Sequence, residues 1–293
     1  MKVEISKPDK VLFPDDGITK RDLAEYYERV APVMLPHVKG RPLNLWQYPD
    51  GIDGKSFLRQ QIPGHFPDWI ARVEVPKKGG SVTHAVADRK ETLVYLAGQA
   101  CITPHVWLSR VDGLGRPDRL VFDLDPSKED FTAVRTAALR LGELLEDELG
   151  LARFAATTGS RGVHVVVPLR RDHDGDEVRR FAGDVARLVA ERHPDDLTVE
   201  ARKAKRGDRI LVDVARNGWA QTVVAPYAGR PKPGAPVATP LDWSELSDRR
   251  LGPQRWNVRN LFRRLDSDGD PWAGIARSAR SLGAPRKRLD ELL

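Results

Sequence analysis

Residues 119–127 read RLVFDLDPS. Leu120, Val121, Phe122 and Leu124 are apolar enough for a buried strand, yet Asp123 and Asp125 interrupt them with one residue between. Alternate residues of a strand share a face, so this spacing puts both carboxylates on one side. Two anions held together in a partly desolvated site repel unless cations neutralise them, and a divalent metal is the usual answer. A plainer reading stays open for Asp125: Asp-Pro-Ser ends a strand and opens a turn, with Ser127 capping a helical pattern that starts near Phe131. Asp123 has no such account, because an acid between Phe122 and Leu124 is rarely tolerated without a partner. Alone, the D-x-D pattern also fits nucleases and glycosyltransferases that use a metal-bound sugar nucleotide, so a third ligand must decide.

The chain has 293 residues, 40% hydrophobic and 31% charged, enough for one large or two modest cores. Its net charge of +6, from 48 basic and 42 acidic residues, points to a polyanion only if the excess gathers on one surface. A single cysteine, Cys101, excludes an internal disulfide. No apolar run approaches the roughly 20 residues of a membrane span or resembles a signal peptide. The expectation is a reduced, cytoplasmic protein with no membrane partner.

Working outward from the aspartates, residues 131–149 carry Phe131, Val134, Ala138, Leu141, Leu145 and Leu149 at helical spacing, with Gly150 as the stop. ARFAATTGSRGVHVVVPL then reads as strand, small-residue loop and strand, which brings His164 to the mouth of the second strand. Residues 177–192 form an amphipathic helix through Val178, Phe181, Val185 and Leu188. RKAKRGDR places five basic residues within eight positions, by habit a solvated face, but it runs directly into the apolar strand 210–214 with Asp213 inside it. Asp213 is the expected third metal ligand. Residues 227–237 are rich in Pro and Gly, too irregular for a strand and poorly suited to burial. Helical stretches are expected around 254–265 and 271–282.

Toward the N-terminus a short strand or turn at 11–13 leads to a helix start at Thr19, where Thr19 and Asp22 approximate a capping box. Lys20 then sits beside open backbone N–H groups, a position suited to an anion or simply to a solvated surface lysine. Strands are expected at 43–48 and 56–60 around a tight Gly/Asp turn, and at 73–75 and 83–87 around KKGGS, followed by a helix at 91–100. Phe57, beyond Lys55, is either a core aromatic or one that stacks on a base. His105 precedes the aspartate strand.

Three aspartates on two strands supply the hard oxygen ligands that Mg²⁺ or Mn²⁺ prefers, and two-metal sites of this kind serve phosphoryl and nucleotidyl transfer. TTGSRGVH suits a triphosphate: glycine-flanked N–H groups, the hydroxyls of Thr158 and Ser160, Arg161 and His164 can all donate to phosphate oxygens. FDLDPS, TGSRGVHVVVPL, the basic run into LVDVARN, and QTVVAPYAGRPKPGAPVATPLDWSEL together resemble the polymerase domain of bacterial DNA ligase D, a branch of the archaeo-eukaryotic primase superfamily. The resemblance runs from KPDKVLFPDDGITK to the final helical region. No ligase or nuclease segment accompanies it, so a stand-alone member or an excised domain is expected.

The resemblance implies an α/β (α+β) primase-polymerase fold of mainly antiparallel central sheets flanked by helices. It implies one catalytic domain over 1–293, with about 1–110 contributing DNA contacts, about 111–245 carrying the metal and nucleotide motifs, and 246–293 closing as helices. Asp123, Asp125 and Asp213 then bind two Mn²⁺ or Mg²⁺ ions and are catalytic. His105, Thr158, Ser160, Arg161, His164 and Arg230 bind the nucleotide, while Lys10, Lys20, Lys55 and Phe57 meet DNA or its 5′-phosphate. Two positions depart from the family's pattern: Thr158-Gly159-Ser160-Arg161 stands where Ser-Gly-Gly-Lys is common, and lysines stand at 7 and 10 where a histidine or arginine is expected. The implied activity is templated addition of NTPs or dNTPs to a 3′-hydroxyl at gaps or ends of double-stranded DNA during non-homologous end joining, in the bacterial cytoplasm or nucleoid, with Ku and a separate ligase as partners. A metal-dependent nuclease and a non-catalytic end-binding module are the alternatives.

Overall fold

The computed structural model describes Met1 and residues 3–293, and the chain divides into two units whose segments alternate along the sequence. The first unit takes Met1–Asp112, Thr222–Ala238 and Trp256–Gly269; the second takes Gly113–Gln221, Thr239–Arg255 and Asp270–Leu293.

In the first unit, β1 (Val11–Phe13) and β2 (Ile18–Thr19) pair and deliver the chain to α1 (Lys20–Val38). The expected capping box forms: the Asp22 N–H donates to Thr19 Oγ1 at 3.2 Å, and the Thr19 N–H to the Asp22 carboxylate at 2.7 Å. These bonds satisfy backbone donors that a first helical turn leaves open. Leu23, Tyr26, Tyr27 and Val30 are buried along one stripe of α1. There follow β3 (Pro42–Gln47), β4 (Phe57–Arg59), β5 (Ala71–Lys77), β6 (Gly80–Val86), α2 (Lys90–Gly98) and β7 (Cys101–Trp107). The sheet runs β5-β6-β3-β7 and ends on a later segment, Thr222–Val224, with β4 also paired to β3.

The second unit opens with β8 (Arg119–Asp125), α3 (Phe131–Glu143), β9 (Phe154–Thr157), β10 (Val163–Pro168), α4 (Gly175–Arg192), β11 (Leu197–Thr198), α5 (Lys203–Arg206) and β12 (Ile210–Asp213). Then come β13 (Thr222–Val224, of the first unit), β14 (Pro240–Leu241), α6 (Leu261–Asp268, of the first unit) and α7 (Gly283–Leu292). The second sheet has the order β11-β12-β8-β10-β9-β14 and is antiparallel except between β11 and β12. Leu120, Phe122 and Leu124 of β8, Val163, Val165 and Val167 of β10, and Ile210 and Val212 of β12 join one core with Val134, Ala138 and Leu141 of α3 and Phe181, Val185 and Val189 of α4. Each of these Val, Leu, Ile and Phe side chains contributes about 1.5–3 kcal/mol by leaving water. Because the pleat alternates, Asp123, Asp125, His164 and Asp213 lie on the opposite face of the sheet.

The mixed architecture of antiparallel sheets and helices expected from the sequence is the one observed, but three local expectations need correction. The two ends of 227–237 are buried, with Tyr227, Ala228, Ala235 and Val237 completely inaccessible, while residues 230–234 between them stay partly or fully exposed. Their backbone polar groups find partners within the loop and beyond it, as when the Arg230 N–H donates to the Pro236 carbonyl at 2.7 Å and the Gly234 N–H to the Asp16 carboxylate at 2.7 Å, so irregularity does not bar burial. The helix expected around 254–265 starts only at Leu261, because the Asn257 side chain accepts from the N–H groups of Arg259 and Asn260 and holds a turn. In place of a helix at 271–282 there is a single 3₁₀ turn, Ile275–Ser278, after Gly274 in the left-handed region, and the helix lies further on as α7. The long helix expected at 131–149 continues from α3 as a π-helical turn, Leu144–Glu148, and stops at Gly150 with φ +69°. Among the described residues no helix is long and apolar enough to cross a membrane.

Candidate active site

Asp123 stands at the centre of a lateral row in the second unit. His164 of β10 lies across from it on one side and Asp213 of β12 on the other, while Asp125 is two residues further along β8, opposite Leu211. Directly opposed residues in antiparallel strands have Cβ atoms about 4.5–5.5 Å apart. Register alone therefore gathers three carboxylates and an imidazole on one face. The His164 Nε2 is 3.6 Å from Asp123 Oδ1. Asp213 is held by the turn that follows it, its Oδ1 accepting the Ala215 N–H at 2.7 Å.

Asp125 is neutralised from within the protein. Arg161 Nη2 is 3.2 Å from its Oδ1 and Arg206 Nη1 is 3.1 Å from its Oδ2. Arg206 is itself buried, and its Nε donates to the Glu200 carbonyl at 2.9 Å. Among the described residues no three His, Cys, Asp or Glu side chains stand in an arrangement that encloses a metal ion. The donor chemistry and the backbone placement of the three aspartates fit a divalent cation; the side chain of Asp125 is instead engaged by two guanidiniums.

The loop between β9 and β10 is closed on itself. The Thr158 N–H donates to the Gly162 carbonyl at 3.0 Å, and Thr158 Oγ1 accepts from the N–H groups of Ser160 and Gly162 at 3.3 and 3.2 Å. The Thr158 hydroxyl thus shapes the loop, whereas the sequence suggested it as a phosphate donor. The Ser160 carbonyl accepts from Gln254 Nε2 at 2.8 Å. A Cβ at Gly162 would stand 2.3 Å from the Leu124 carbonyl oxygen, so glycine is what lets the loop lie against β8.

The remaining candidates belong to the first unit. His105 lies on β7, in register with Asn44 and Val224, and Arg230 lies half-buried in the 227–237 loop. Lys10 pairs with Asp50 at 2.7 Å. Lys20 is 7% exposed, its Nζ donates to the Ser6 carbonyl at 2.8 Å, and burial first, then Lys10 and Lys7, hold its pKa below the usual lysine range. Lys55 is exposed, and Phe57 is 40% exposed on β4 with the Arg59 guanidinium 5.1 Å from its ring centre.

Sequence reading passed over Arg206, Asn217 and Gly162. Within RKAKRGDR nothing marks Arg206 as the basic residue that turns inward. Asn217 accepts the Val121 N–H at 2.9 Å and donates to the Val121 carbonyl at 2.7 Å, completing β8 where β12 has ended. Its only signal was its place in the LVDVARN stretch.

The profile described as LigD, primase-polymerase domain matches residues 19–272, and the chain belongs to that family. Polymerase domains of this family are metal-dependent. Similar proteins include the multifunctional non-homologous end joining protein LigD of Mycolicibacterium smegmatis, 32% identical over 272 residues, covering 92% of this chain and 35% of that protein. The Pseudomonas aeruginosa protein of the same name is 34% identical over 293 residues, covering 98% of this chain and 34% of its own length. The chain thus spans about a third of these relatives. Among solved structures, the polymerase domain from Mycobacterium tuberculosis ligase D in complex with DNA superposes with a TM-score of 0.89 at 32% identity, covering 95% of this chain and 99% of that one.

Proposed function

We propose that this chain is a template-directed nucleotidyltransferase that adds NTPs or dNTPs to a DNA 3′-hydroxyl at gaps or broken ends. The observation that carries this reading is the row His164–Asp123–Asp213 with Asp125 beside it, set against a glycine-bracketed loop that bears Arg161. Two Mn²⁺ or Mg²⁺ ions held by Asp123, Asp125 and Asp213 would lower the pKa of the attacking hydroxyl and stabilise the leaving pyrophosphate. Arg161, 43% exposed at its side chain, is free to exchange the Asp125 carboxylate for a triphosphate oxygen, a charge-assisted contact of the same kind. His164, 9% exposed, is too confined to swing away and donates from a fixed position. Ser160 supplies a further hydroxyl, and Thr158 contributes by holding the loop.

The same reading assigns His105 and Arg230 to the nucleotide, Lys10 and Lys20 to a 5′-phosphate, Lys55 to the DNA backbone and Phe57 to a stacked base. It treats residues 1–293 as one catalytic domain. It places the reaction in non-homologous end joining, with Ku and a separate DNA ligase as partners in the bacterial cytoplasm or nucleoid. Among these partners, DNA is supported by the complex in which the related polymerase domain was solved. The test is primer extension on a short gapped duplex with a 5′-phosphate, supplied with Mn²⁺ or Mg²⁺ and either NTPs or dNTPs. Templated addition that Asp123→Ala lacks is expected. Strand cleavage in place of addition would establish the nuclease, and binding without any turnover would establish the end-binding module.

A further inference from the structure

The lysine cluster at the start of α1 holds an anion of its own. Backbone bonds from the Lys10 N–H to the Lys7 carbonyl at 3.1 Å, and from the Lys20 N–H to the Lys10 carbonyl at 2.9 Å, gather three lysines around one turn. Lys20 spends one donor on the Ser6 carbonyl, whereas Lys10 is met by a carboxylate, Asp50 Oδ1, at 2.7 Å. The backbone fixes Asp50 in this place. The Gly51 N–H donates to the Tyr48 carbonyl at 3.1 Å and the Ile52 N–H to the Leu12 carbonyl at 2.8 Å. Gly51 has φ +81°, and a Cβ there would stand 2.9 Å from the Leu12 oxygen. Asp9, the other acid in this turn, is paired with Arg21 at 3.0 Å.

We propose that Asp50 is an internal competitor of the DNA 5′-phosphate, an anion that occupies Lys10 until a phosphate displaces it; this rests on reading the lysines as the 5′-phosphate site. A phosphate monoester at neutral pH carries about 1.5–2 negative charges and wins the exchange against a single carboxylate. Whether Asp50 is displaced or remains nearby and repels, it subtracts from the affinity that the three lysines would otherwise give. The consequence is a pocket that recognises a phosphorylated end yet releases it after the gap is filled.

Asp50→Asn keeps the shape of the side chain and removes its charge. The measurement is the dissociation constant, by fluorescence anisotropy without divalent ions, for two gapped duplexes that differ only in carrying a 5′-phosphate or a 5′-hydroxyl at the downstream end. The ratio of the two constants is the phosphate increment. An exposed ion pair corresponds to a change of up to about fivefold, so Asp50→Asn is expected to enlarge the increment by about two- to fivefold. Asp9→Asn removes the same charge from the neighbouring pair and is expected to leave the increment as it is. An unchanged increment in Asp50→Asn, or an equal gain in Asp9→Asn, overturns the assignment. A smaller increment overturns it as well and makes Asp50 a residue that orients Lys10. If the wild-type protein shows no increment at all, the 5′-phosphate reading of the lysines falls and takes this one with it.

Discussion

Replacing Gly162 with alanine adds one methyl group whose carbon would stand 2.3 Å from the Leu124 carbonyl oxygen. Ordinary contact needs more than 1 Å beyond that separation. The Leu124 backbone cannot yield, because β8 is paired at this residue with Val163 of β10 and Val212 of β12. The loop must therefore retreat by about 1 Å, carrying Arg161 away from Asp125 and straining His164 against Asp123. Overpacking of this kind costs about 1–3 kcal/mol, or about 2–4 °C of Tm for each kcal/mol in a domain approaching this size. The larger effect is on rate, since a displacement of about 1 Å in a positioned site can cost about 100-fold. Thermal denaturation and single-nucleotide incorporation on the gapped duplex measure the two effects. Gly115→Ala is the control: nothing lies within 4 Å of its added carbon, and it should stay within about 0.5 kcal/mol of wild type. Wild-type stability and rate in Gly162→Ala would refute the claim that the loop is positioned by its contact with β8.

Other perturbations separate the remaining parts of the site. Arg206→Ala removes one of the two guanidiniums on Asp125 and is expected to destabilise by about 1–3 kcal/mol in urea denaturation; calorimetric titration should show tighter Mn²⁺ binding, because a competing cation has gone. Asn217→Ala leaves both backbone groups of Val121 without their side-chain partner and should cost about 2–3 kcal/mol, while Asn217→Asp keeps the acceptor but turns a buried carboxylate oxygen toward the Val121 and Val214 carbonyls that the Asn217 amide now meets and should cost at least as much. Lys20 has a pKa lowered by burial, so below that pKa the folded state carries the desolvation cost in full, and between it and the ordinary lysine value the unfolded chain binds more protons. The stability difference between wild type and Lys20→Met should therefore move in favour of wild type as pH rises through this window, and a flat difference would exclude a perturbed Lys20. On the proposed reading, in which ammonium groups rather than carboxylates meet the phosphate, chelation of divalent ions should abolish incorporation and leave binding to phosphorylated gapped DNA unchanged.

By itself the sequence determined what depends on neighbours along the chain. The Thr19–Asp22 capping box, the α4 stripe through Val178, Phe181 and Val185, and the shared face of Asp123 and Asp125 all follow from backbone periodicity, which acts over a few residues and leaves its mark on spacing. Asp213 was legible for the same reason, as an acid inside an apolar strand, and motif order carried the family. The tertiary structure decided the rest. Only strand register sets Asp213 and His164 on either side of Asp123. Only the packing of the 200–206 turn makes Arg206, one basic residue among five, the one that turns inward to Asp125. The Thr158 hydroxyl is spent on its own loop, and both ends of the 227–237 segment are buried because bonds from distant residues satisfy their backbone. Register, burial and hydrogen-bond partners across tens of residues are properties of the folded chain as a whole, and no local pattern encodes them.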